Sequence, residues 1–158
     1  NIRLIQAGNF DICLLASAGK EIIYRNGIHV WIDFNEPENA SLLILLSFII
    51  SGHPDWRKSS IKVFGTCKPD QFTETRSELS ELVVSGRLPI TENNVEIIKL
   101  EQGDSLKSLI NKRSSMAALV MTGFRPENLK HDGEAVMNGY DDAGTILFVN
   151  SHNQKEIM

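Results

Sequence analysis

Four histidines, two cysteines, two close acidic pairs and two tryptophans are the residues of this 158-residue chain with most chemistry to offer. Their spacing argues against using most of it. His29, His53, His131 and His152 fall in different elements with no partner three or four residues away, so the spacing of a metal site is missing. Asp33 with Glu36, and Asp141 with Asp142, sit at element boundaries, where carboxylates cap helices or meet solvent. Ser17-Ala18-Gly19 and Ser151-His152 lack the flanking glycines of a nucleophile elbow. Gly65-Thr66-Cys67-Lys68-Pro69 has a single glycine and leads into Asp70, whose charge would repel a phosphate, so it reads as a turn and a cap.

Two further nucleotide or phosphate chemistries are also poorly served. A universal-stress-type nucleotide site needs a glycine-rich turn late in the chain, and Gly123-Phe124-Arg125-Pro126 offers one glycine. A phosphoacceptor receiver needs several acidic residues at strand ends, and only Asp33 qualifies. The expectation is a protein that is not an enzyme, with no catalytic or metal-ligating residue and no cofactor.

Cys13 and Cys67 each sit in or just after an apolar run, without C-x-x-C spacing, and read as buried small hydrophobes in a reducing compartment. Trp31 lies in a strand and Trp56 between Asp55 and Arg57 after an apolar helix. Core packing with a satisfied indole N–H is the first reading of both; the second makes them interface anchors, and they are the only site residues put forward.

The elements that would position these groups follow from the pattern. The chain is 42% hydrophobic and 23% charged, which suits a globule, and its net charge of −4 with dispersed Lys and Arg leaves no nucleic-acid footprint. Continuous apolar runs predict strands over 11–16, 28–34 and 116–121, an alternating run predicts one over 60–66, and two more follow over 95–100 and 145–149. Between them, residues 40–50 form an apolar helix with Asn35 as cap, apolar on nearly every side and so deeply buried. Its eleven residues fall short of the roughly 20 of a bilayer span. Asp70 caps an amphipathic helix that Gly86 ends in a left-handed turn; a short helix starts near Asp104 or Ser105, and a weaker one runs over 127–138.

Strand and helix alternate from Ile28 onward, which predicts a doubly wound α/β fold: a mainly parallel sheet of about five strands with helices on both faces. Only about eleven residues separate the first two strands, near the lower limit for a crossover helix. Residues 1–25 are therefore read as the end of a preceding α/β unit, a helix and a strand, and 26–158 as the domain itself. The start, without Met or a basic leader, reads as a cut in a longer protein and not as a secretion signal.

Several motifs occur in a telling order. Ile28-His29-Val30-Trp31-Ile32 is followed by Asn39-Ala40-Ser41-Leu42-Leu43-Ile44-Leu45-Leu46, then by Pro54-Asp55-Trp56-Arg57-Lys58-Ser59-Ser60-Ile61-Lys62-Val63-Phe64. Arg87-Leu88-Pro89-Ile90, the stretch Ser114-Ser115-Met116-Ala117-Ala118-Leu119-Val120-Met121-Thr122-Gly123 and the strand Thr145-Ile146-Leu147-Phe148-Val149-Asn150 come later. Together, over residues 27–152, they resemble the C-terminal cytosolic domain of the cation-chloride cotransporters. The chain lacks the long phosphorylated and acidic inserts of the animal proteins and so resembles the compact prokaryotic, amino-acid-permease-like members. The resemblance implies a universal-stress-protein-like fold at the cytoplasmic face of the membrane, joined to an upstream transmembrane permease. It implies homodimerisation and regulation of transport, with adenine nucleotide bound in some relatives. No nucleotide-binding residue here matches well enough to be carried over.

Overall fold

β-Branched and aromatic runs bounded by turn residues give six strands in one sheet. They are β1 (Ile12–Ala16), β2 (Ile28–Asp33), β3 (Ile61–Cys67), β4 (Val95–Lys99), β5 (Leu119–Gly123) and β6 (Ile146–Asn150). The computed structural model describes residues 10–128 and 133–152. The strand order is β1-β6-β5-β2-β3-β4; the pairs among β2 to β6 are parallel and only β1 runs antiparallel, beside β6. The fold is doubly wound α/β, with one antiparallel edge strand.

Helices α1 (Ala40–Ser51), α2 (Phe72–Ser85) and α3 (Leu106–Arg113) supply layers on the sheet. Because side chains alternate across a strand, each of β2 to β6 feeds two cores. Ile28, Val30, Ile32, Val63 and Met121 pack with Leu43 and Ile44 of α1 and Leu79 of α2. Trp31, Phe64, Val120, Ile146 and Phe148 pack on the opposite face with Ile110 of α3. Helices therefore cover both faces of the sheet.

Several local expectations are corrected. Neither Asn35 nor Asp70 caps a helix: a 3-10 turn, Pro37–Asn39, leads into α1, and another, Pro69–Gln71, leads into α2. The prolines pre-set the entry, and the cap positions fall at Asn39 and Gln71. Asn35 instead donates its backbone N–H to Asp33 Oδ1 at 2.9 Å, an Asx turn. Gly86 is right-handed, with φ −75°, and the left-handed residue is Arg87, at φ 54°. Ser105 does cap α3, its hydroxyl accepting from Ser108 N at 3.3 Å.

β5 begins at Leu119, and Met116, expected within it, is 76% exposed. The last turns of α1 are not buried on every side: Ser47 is fully buried and Ile50 packs on the core, but Phe48 is 44% and Ile49 58% exposed on the outward face. Cys67 is buried as expected, whereas Cys13 is exposed, since β1 is an edge strand. The helix expected over 127–138 lies partly outside the described residues; inside them 126–128 is helical, as expected at its start, and Gly133–Met137 forms a 3-10 segment.

Candidate functional site

In an open doubly wound sheet, ligands bind beyond the carboxyl ends of the strands where the order reverses. Here that point lies between β2 and β5, since the chain leaves β2 toward β3 on one side and reaches β5 on the other. Asp33 ends β2 and Gly123 ends β5, and Glu36, Asn39 and Arg125 follow on the connections.

The crevice is largely closed by its own residues. Glu36 Oε2 lies 3.0 Å from Arg125 Nε, an ion pair across its mouth. Asn39 is buried, and its Oδ1 accepts from the backbone N–H of Ser151 at 2.7 Å, tying the entry of α1 to the end of β6. A Cβ at position 123 would stand 2.6 Å from Asn39 Nδ2, so glycine is what lets this amide approach the strand. The cavity left between Asp33, Thr122 and Leu106 is about 50 Å³. Beside it opens a hollow of about 300 Å³ bounded by Glu36, Arg125, Lys107, Asn128 and Tyr140. Lys107 Nζ lies 5.0 Å from the centre of the Tyr140 ring, and burial raises the Tyr140 pKa, so the phenol stays protonated. Hydrogen-bonding groups and cations line this hollow, an arrangement suited to holding a polar ligand.

A second constellation lies on the α3 side, where β2, β3 and β4 run side by side. Trp31 stacks on Phe64 with centroids 4.2 Å apart and planes at 11°. Its indole N–H donates to Ser114 Oγ at 2.9 Å, and Ser114 Oγ is 2.8 Å from His29 Nδ1. A hydroxyl that accepts from the indole still has its proton and a lone pair free, so it serves Nδ1 in either tautomer of the neutral ring. The His29 pKa agrees, lowered to about 4 by burial first and then by the cations Lys62 and Arg113. Arg113 ion-pairs and hydrogen-bonds with Glu96, and that bond is the leading reason the carboxyl of Glu96 titrates low. Ser114 has no exposed surface, so this serine–histidine pair braces the sheet and offers no nucleophile to solvent.

The other residues considered from sequence stay apart. Among the described residues no group of three His, Cys, Asp or Glu side chains is placed to hold a metal ion. His53 Nδ1 accepts from Asp55 N at 3.2 Å in a local turn, His152 donates its backbone N–H to Asp11 Oδ1, and His131 lies outside the described residues. The backbone N–H of Asp142 donates to Asn111 Oδ1, and Ser17 Oγ accepts from Gly19 N. Gly65 is no phosphate-loop glycine: it lies inside β3, where a Cβ would meet Leu79, Ile97 and Phe34 at 3.0 to 3.1 Å.

Comparison with protein-family models gives no match, and comparison with curated proteins gives none either.

The two tryptophans separate. Trp31 is 1% exposed with its N–H satisfied, so it belongs to the core and is no interface anchor. Trp56, half-buried, meets Tyr24 edge-on, with centroids 4.7 Å apart and planes at 86°. Its turn, Pro54–Trp56, touches both the end of α1 and the turn Tyr24–Asn26. Ser59 Oγ donates to the Tyr24 carbonyl at 2.6 Å and pins that contact. Tyr24, Ile23, Phe48 and Ile49 are each between 36% and 58% exposed, so this end of the sheet presents an apolar, partly aromatic surface around Trp56. Sequence reading singled out Trp56 but missed Phe48 and Ile49, which it placed in the core. It also missed Asn39 and Arg125, although their positions just beyond strand ends were a usable signal.

Proposed function

We propose that this chain is the cytoplasmic regulatory and dimerisation domain of a cation-chloride cotransporter-like membrane transporter. Its transmembrane part, upstream in the same chain, would carry out secondary active transport of ions or amino acids. The domain contributes assembly and regulation, not catalysis, and self-associates as a homodimer. No helix among the described residues is long and apolar enough to cross a membrane, so on this reading the spans belong to the upstream part.

The observation that carries the proposal is the apolar surface around Trp56. A domain that works by assembly needs such a surface, and Trp56, at its centre, belongs to one of the motifs that carry the resemblance. The motif segments reach β2, β3, β5 and β6, neighbouring strands of the sheet, with one on α1 and one, 87–90, in the loop before β4. The gene upstream tests the transporter reading. Ten or more apolar stretches of span length are expected; a coding sequence without them defeats it.

A second reading is a stand-alone nucleotide-sensing domain of universal-stress type, favoured by the hollow between Lys107, Tyr140 and Arg125 at the carboxyl ends of the strands. Calorimetry with ATP, ADP and AMP decides it. Saturable heat from one of them supports this reading, and no heat from any removes it.

A further inference from the structure

At the opposite edge of the sheet from β1, β4 pairs among the described residues with β3 on one side only. An edge strand leaves every second backbone N–H and C=O without a sheet partner, which is a template for another extended chain. Beside that edge runs a groove of about 590 Å³ between β4 and α2, its apolar walls including Phe72, Val83, Val84, Ile90, Val95 and Ile97. Val84 is 78% exposed. A groove between a helix and an edge strand is the geometry in which peptides bind by strand addition: the main chain pairs with the edge and alternate side chains enter the groove.

One of the two charges that could blunt this edge is turned elsewhere. Glu96, one of the two charges of β4, is held by Arg113 and Lys62 on the other face of the sheet. The second, Lys99, lies 4.6 Å from the centre of the Phe72 ring. The groove also carries opposite charges at its two ends. α2 starts beyond the carboxyl end of β3 and runs back, so Arg76, near its start, lies toward the end of β4, whereas Glu92 just precedes β4. Among the described residues neither Arg76 nor Glu92 forms an ion pair.

We infer that this groove is a docking site for an extended peptide segment of a partner protein. The segment adds as a strand to β4 and places apolar side chains at alternate positions in the groove. It carries an acidic residue at the Arg76 end and a basic residue at the Glu92 end. This inference is independent of the transporter reading.

The test is fluorescence anisotropy of the whole chain with a labelled heptapeptide of alternating valine and threonine, bearing an aspartate at one end and a lysine at the other. Saturable binding is expected, with amide-exchange protection gained in β4. Val84→Glu, at an exposed position, should weaken it at least tenfold while the circular dichroism spectrum is unchanged. Arg76→Glu should weaken it several-fold, and a peptide with lysine in place of the aspartate should recover binding to that variant. No saturable binding to the unmodified chain overturns the inference, as does binding indifferent to Val84→Glu. So does a loss of self-association on Val84→Glu, which would make the groove an interface between copies of this chain.

Discussion

A methyl group on Gly86 would collide with Cγ2 of Ile44, so the end of α2 and the middle of α1 touch at a point where only hydrogen fits. Ile44 is fully buried there. The glycine is needed for this approach and not for a left-handed turn, which Arg87 makes instead. Gly86→Ala should cost about 1–3 kcal/mol, the usual range for overpacking a filled interior. Urea denaturation checks it, and an unchanged midpoint would show that the helices can separate at no cost.

Ser114 serves two groups at once, Trp31 Nε1 and His29 Nδ1. Ser114→Ala leaves the buried indole N–H without its acceptor, for which about 1–3 kcal/mol of stability should be lost. The emission of Trp31 should shift as well, read in a Trp56→Phe background because the chain has two tryptophans.

His29 titrates at about 4, below its ordinary 6.5. Between those values the unfolded chain binds a proton that the folded chain refuses, so stability is full above pH 6.5 and declines as pH falls toward 4. Thermal denaturation at a series of pH values should show that decline. His29→Gln should flatten its part of the profile, and an identical slope in the variant would mean that other groups produce it.

Thr66 Oγ1, in β3, is the one buried side-chain polar atom among the described residues that has no hydrogen-bond partner. Thr66→Val keeps the shape and removes the unpaired hydroxyl, so stability should rise by about 1 kcal/mol. A lower denaturation midpoint would show that the hydroxyl is satisfied in solution.

Much of the fold could be read in the sequence because parallel strands covered on both faces are continuous apolar runs, as in Val30 to Ile32 and Leu119 to Met121. What escaped depended on position within the sheet. Cys13 looks like a core residue from its apolar neighbours, but β1 is an edge strand and its side chain meets solvent. Phe48 and Ile49 lie on the outward face of α1 while Ser47 and Ile50 face the core, and a helix apolar on nearly every side does not mark which face is which. The His29–Ser114 pair joins residues 85 positions apart, which no local spacing could announce. Asn39 and Gly123 meet for the same reason only once β2 and β5 are neighbours.

The central claim is that the chain works by assembly through the apolar surface around Trp56. Sedimentation equilibrium across the micromolar range tests it most directly, on the unmodified chain and on the double variant Phe48→Ser, Ile49→Glu. Both replaced residues are exposed, so the variant should fold with unchanged circular dichroism. The account predicts a dimer for the unmodified chain and a monomer for the variant. A monomer at every concentration for the unmodified chain, or a variant that dimerises as well, would contradict it.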